Sequence, residues 1–147
     1  MATKIFLGEN MITPEGGFAK RMINKTGVAS VKGTLVIAST GTNYAFEISP
    51  VSAPNVVGVV YESGIADGSY CWVVTNGPAQ VLLKNTTGST KGHWVRTADV
   101  AGRCITAAAP PGGGISEIDQ HLCEIGHCME TVTSGTDKLC LVMTHYN

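Results

Sequence analysis

Residues 70–84, YCWVVTNGPAQVLLK, hold two apolar runs on either side of Asn76-Gly77. Tyr70–Thr75 and Pro78–Lys84 are rich in β-branched and aromatic side chains, which suit a pleated sheet. An Asn-Gly pair tolerates the positive φ angles of a type I′ turn, so the spacing predicts a tight hairpin here. Pro78 has no N–H to give to a ladder and belongs at a strand's first position or on an edge. Similar short runs lie at Thr34–Ala38, Tyr44–Ile48, Val56–Tyr61, His93–Thr97, Arg103–Thr106, His121–Thr131 and Leu139–Tyr146. Turn residues part them at roughly the 8–12-residue spacing of a sandwich or barrel. The last two form a second hairpin through Ser134-Gly135-Thr136-Asp137.

Composition agrees with an all-β chain. Its 147 residues include 15 Val, 10 Ile and 16 Thr against 7 Leu, a bias that costs rotamer freedom in a helix but none in a strand. A net charge of −1 leaves no excess of Lys and Arg for phosphates, which argues against direct nucleic-acid binding. No apolar stretch approaches the roughly 18 residues a membrane-spanning helix needs, and the N-terminus lacks a signal peptide's apolar core, so a soluble product of a cytoplasm is expected. Charged residues make up 14% of the chain, well under the roughly 25% usual for soluble domains. A surface so poor in charge suits an assembly component.

The strands repeat. VKGTLVIA at 31–38 matches TKGHWVRT at 90–97, each a Lys-Gly turn leading into a strand. VGVVYESGIADGSYCWVV at 57–74 lies without gaps over IGHCMETVTSGTDKLCLV at 125–142, pairing Gly58 with Gly126, Glu62 with Glu130 and Val74 with Val142. Two related halves, neither able to bury its apolar face alone, are expected to pack together as a compact β-barrel or sandwich. Residues 28–147 form that single β-rich domain. Residues 1–27 show neither helical nor strand periodicity over a useful length and read as an extended N-terminal arm. Through residue 32 the chain carries five positive and two negative charges, and the remaining 115 residues carry five and nine. A basic arm of this kind either frays in solvent or orders on a neighbouring acidic surface.

Few residues offer chemistry. His121, Cys123, His127 and Cys128 have the right donor types for zinc, but along one extended strand they spread over about 20 Å and fall on both faces. No metal and no cofactor is expected. Five cysteines, an odd number without framework spacing, read as buried free thiols. Glu62 and Glu130 occupy matching positions, where a surface role outweighs an acid/base pair. GSTKG at 88–92 lacks the spacing of a phosphate-binding loop. Residues 107–114, AAAPPGGG, read as a mobile loop, and Ser116–Gln120 as one helical turn. Trp72 and Trp94 are core or interface aromatics.

GVASVKGTLV (27–36), NVVGVVYESGIADGSYCWVVTNGPAQVLLK (55–84), KGHWVRTADVAGR (91–103) and HLCEIGHCMETVTSGTDKLCLVMTHYN (121–147) together resemble the capsid decoration, or cement, proteins of tailed bacteriophages. The resemblance runs from about residue 27 to the end and rests on the order and spacing of Gly-turn-strand units. It implies a β-tulip or barrel-like body, commonly a homotrimer, seated on the outer capsid surface after synthesis in the host bacterial cytoplasm. It also implies an N-terminal arm over neighbouring major capsid protein subunits, and no catalytic residue. The cysteine-rich second half departs from the pattern.

The expected function is therefore that of a non-enzymatic virion protein that stabilises a capsid by bridging major capsid protein subunits. Phe18, Lys20, Arg21 and Lys25 are the expected capsid-binding residues of the arm, with Trp72 and Trp94 as interface aromatics. The alternative is a carbohydrate-binding or host-attachment module that stacks sugars on Trp72, Trp94 or Tyr146. A third reading is a zinc or thiol enzyme centred on His121–Cys128.

Overall fold

The alternation of apolar and polar side chains is realised as eleven strands and one short helix in a computed structural model that describes residues 5–110 and 114–146. The strands are β1 Ile5–Leu7, β2 Asn10–Ile12, β3 Phe18–Asn24, β4 Leu35–Ala38, β5 Ala45–Ile48, β6 Val56–Val60 and β7 Tyr70–Leu82. After these come β8 Trp94–Thr97, β9 Cys104–Ala107, helix α1 Ile115–Leu122, β10 Glu124–Cys128 and β11 Leu139–Thr144. All but the arm-region strands β1–β3 fall on the runs read from the sequence.

The chain is all-β and built from two halves. In the first, β3, β5, β4, β6 and the opening of β7 pair in that order, and β3 returns to β7, closing a five-stranded barrel. In the second, the end of β7 pairs with β11, then β10, β8 and β9. The bridge between Leu83 and Cys104 brings β9 back towards β7. Arg103 reinforces this seam by donating to Leu83 O and Asn85 Oδ1, each at 2.9 Å, while pairing with Asp137.

β7 corrects the hairpin expected at Asn76-Gly77. It runs unbroken through thirteen residues, with Gly77 at φ +83°. A type I′ turn forms when its flanking strands pair with each other. Here the flanks have other partners: Lys20↔Val73 and Val59↔Val74 before the glycine, Val142↔Ala79 and Cys140↔Val81 after it. Gly77 therefore bends one long strand that passes from the barrel of the first half into the second half. Pro78 sits on the stretch where β7 has β11 on one side alone, the edge placement its missing N–H requires.

The arm is corrected too. Residues 18–24 are a wall of the first barrel, with Ala19 fully buried. β2 lies along β3 in register Met11↔Ala19, and Met11 is buried in the core. Thr13 ties the connecting turn by accepting from Gly17 N–H at 3.0 Å. Alternation fails to show here because these residues are flanked on both sides and interrupted by Gly16-Gly17.

The two halves superpose ladder by ladder. Ala38↔Phe46 corresponds to Thr97↔Cys104, Leu35↔Val59 to Trp94↔His127, and Val60↔Val73 to Cys128↔Val142. The gapless alignment of 57–74 over 125–142 holds as far as Glu62 and Glu130. One extra residue in the second connection then moves the partner of Val74 from Val142 to Met143. A one-residue slip turns every side chain to the opposite face, so the turn absorbs the insertion to keep Cys71 and Cys140 both inward.

This correspondence accounts for the cysteines. Val36, Phe46, Val60, Cys71 and Val73 form a buried cluster in the first half. Their counterparts are Val95, Cys104, Cys128, Cys140 and Val142, all buried in the main core. Three thiols thus fill the second interior where the first uses one, as small hydrophobes. All five cysteines are free and buried.

Candidate functional site

β3 and its neighbours carry a cleft lined by exposed aromatic and charged side chains. An open cleft of about 610 Å³ is lined by Glu9, Lys20, Arg21, Tyr44, Val57 and Tyr70, among others. The Arg21 guanidinium lies 4.6 Å from the centre of the Tyr70 ring, and its Nη1 is 3.6 Å from Glu9 Oε2. Tyr70 is 54% exposed and Tyr44 is 82% exposed, the latter held outward at φ +53°. Lys20 Nζ sits 5.9 Å from the centre of the Phe18 ring. Lys20 and Arg21 therefore share one site, with Phe18 beside it. Lys25 is exposed just past the end of β3, where its N–H donates to Phe46 O at 2.9 Å.

Trp72 and Tyr146 are partly buried against the main core. Burial pushes the Tyr146 hydroxyl up to about 12, and it donates to Val74 O at 3.5 Å. Trp94 lies with its ring centre 4.4 Å from that of His127. None of the three offers an open stacking face comparable to Tyr44 and Tyr70, which the sequence did not single out.

Glu62 and Glu130 serve the backbone. Glu62 Oε1 accepts from Trp72 N–H at 3.3 Å, and Glu130 Oε1 accepts from Leu141 N–H at 2.8 Å. Each carboxylate pins a turn to the strand that follows it, the same bond made once per half.

The His121–Cys128 segment is not one strand, which corrects the expectation that its histidines stay far apart. Helix α1 ends at Leu122, a longer helix than the single turn expected, and β10 begins at Glu124. Cys123 turns away, with Sγ 3.1 Å from Ser52 O, and Cys128 enters the core. Glu124 is 4% exposed, with Oε1 3.1 Å from His145 Nε2 and Oε2 2.7 Å from His121 Nδ1. His127 joins from the same strand, its ring centre 5.6 Å from that of His145. Only the strand-to-strand register brings His145 of the C-terminal end to this point, and no sequence spacing announces it. Part of the loop expected at 107–114 lies outside the described residues.

No known family model matches this chain, and no curated protein matches it significantly in sequence.

Proposed function

We propose that the protein is a non-enzymatic structural component of a phage virion, binding the outer face of an assembled capsid and bridging major capsid protein subunits as a homotrimer. The observation that carries this reading is the cleft on β3, where exposed Tyr44 and Tyr70 stand beside Arg21 and Lys20 on a rigid barrel wall. Tyr and Arg at a partly desolvated concave site are the residue types that dominate protein–protein binding energy. The β1–β2 ribbon edging the cleft takes the place of the free arm in this picture.

The mechanical reasoning is simple. A shell under internal pressure fails where subunits part, and a protein seated across a seam must lose its buried contacts before the seam opens. An interface near 1,600 Å² is of the standard size for specific association. Three linked copies raise one another's effective concentration, so moderate single contacts become long-lived.

The test is co-sedimentation of purified protein with undecorated shells assembled from the major capsid protein of the same phage. Saturable binding and a higher temperature of shell disruption are expected. Absence of both would remove the reading, and binding to a glycan array instead would favour the host-attachment alternative, with Tyr44 and Tyr70 as its stacking faces.

A further inference from the structure

We propose that Glu124, His127 and His145 form a binding site for a zinc ion. One ligand atom from each, two imidazole nitrogens and a carboxylate oxygen, lie within 4.8 Å of one another. This donor set, two histidines and one glutamate, suits zinc and other borderline divalent metals, and leaves a fourth position for water. Zinc–ligand bonds of about 2.0–2.1 Å place donors of a tetrahedral site roughly 3.4 Å apart. The Glu124–His145 pair, at 3.1 Å, is already close to that, and His127, within 4.8 Å of both, joins by a side-chain adjustment.

The second, independent observation is the carboxylate itself. Glu124 is buried, its side chain 3% exposed, with His121 Nδ1 2.7 Å from Oε2 and His145 Nε2 3.1 Å from Oε1. A carboxylate withdrawn from water is costly unless positive charge compensates it, and a divalent cation held with two imidazoles supplies that charge. His121 then stands behind the far oxygen of Glu124, where an outer partner orients a ligating carboxylate.

The duplication sharpens the case. The positions of Glu124, His127 and Trp94 in the second half are those of Val56, Val59 and Leu35 in the first, all buried in the core. The same fold thus closes this point with hydrophobic packing in one half. In the other it carries three of the chain's four histidines around one buried acid. An ion here fastens His145, one residue beyond β11, onto β10.

The experiment uses untagged, dialysed full-length protein titrated calorimetrically with zinc chloride, with cobalt(II) substitution to read the donor set. One zinc per chain is expected, with a cobalt spectrum of nitrogen and oxygen donors and no thiolate charge-transfer band. His127→Gln and His145→Gln each weaken zinc binding at least about tenfold. His93→Gln, outside the cluster, leaves it unchanged. Zinc raises the melting temperature of the parent protein but not of His145→Gln, a variant at a half-exposed position that keeps its fold. No zinc uptake, uptake insensitive to both histidine variants, or a thiolate band would overturn the proposal.

Discussion

Ser30 and Ser89 stand at the same point of the two halves and make the same pair of hydrogen bonds. Ser30 Oγ donates to Glu62 O at 2.7 Å and accepts from Ile65 N–H at 3.0 Å. Ser89 Oγ donates to Glu130 O at 3.0 Å and accepts from Val132 N–H at 3.1 Å. Each hydroxyl anchors the turn that follows an apolar strand. Each is buried, so its backbone partners have little water to turn to.

Ser30→Ala and Ser89→Ala are each expected to destabilise the protein by about 1–3 kcal/mol, since truncation strands a buried donor and acceptor. The double variant should lose close to the sum, because the two sites share no partner. Urea unfolding measures all three, and a neutral Ser89→Ala would break the equivalence of the halves.

Gly126 holds φ +146°, and a Cβ there would lie 2.1 Å from Met143 O. Both strain and a backbone clash follow, so Gly126→Ala should cost about 3 kcal/mol or more, or prevent folding. Gly41, with open space around it, should accept alanine within about 0.5 kcal/mol. Thermal melting of the two variants side by side provides the contrast.

The thiols give a pH signature. Burial pushes Cys71 from its ordinary 9.0 to about 11, and burial likewise raises Cys104. A thiol held neutral in the fold contributes stability that is full below its unfolded value and is lost as pH climbs through the folded one. Stability should therefore hold steady up to about pH 9 and decline between about 9 and 11. Cys71→Val should flatten part of that fall. Native protein should also resist Ellman's reagent, with all five thiols reacting only after unfolding.

If the β3 cleft is the capsid-binding surface, Tyr70→Ala and Arg21→Glu should each weaken shell binding by about 30-fold or more, the loss typical of a central interface residue. Melting temperatures should barely move, since both side chains are substantially exposed. Lys25→Ala, outside the cleft, should bind as the parent does. Undiminished binding by both cleft variants would place the contact elsewhere.

Val56–Val60 and Leu139–Thr144 were legible as strands because β-branched runs with polar breaks have few alternatives, and the Gly58/Gly126 and Glu62/Glu130 matches announced the duplication. Asn76-Gly77 misled, since a turn signal describes what a dipeptide tolerates, and the pairing of its flanks decides whether it turns. Lys20 and Arg21, which line one cleft, were legible as candidate surface residues. Their neighbours Tyr44 and Tyr70 were not, because exposure depends on which side of the barrel wall each faces.

The sequence by itself determined an all-β chain of two related halves with buried, unpaired thiols, because side-chain branching, periodicity and repetition act locally and leave their mark in order along the chain. The tertiary structure alone decided that residues 18–24 wall a barrel, that β7 serves both halves, and that Glu124 meets His127 and His145. Those outcomes depend on which strand edges hydrogen-bond to one another, and contacts between residues far apart in the chain have no local signature.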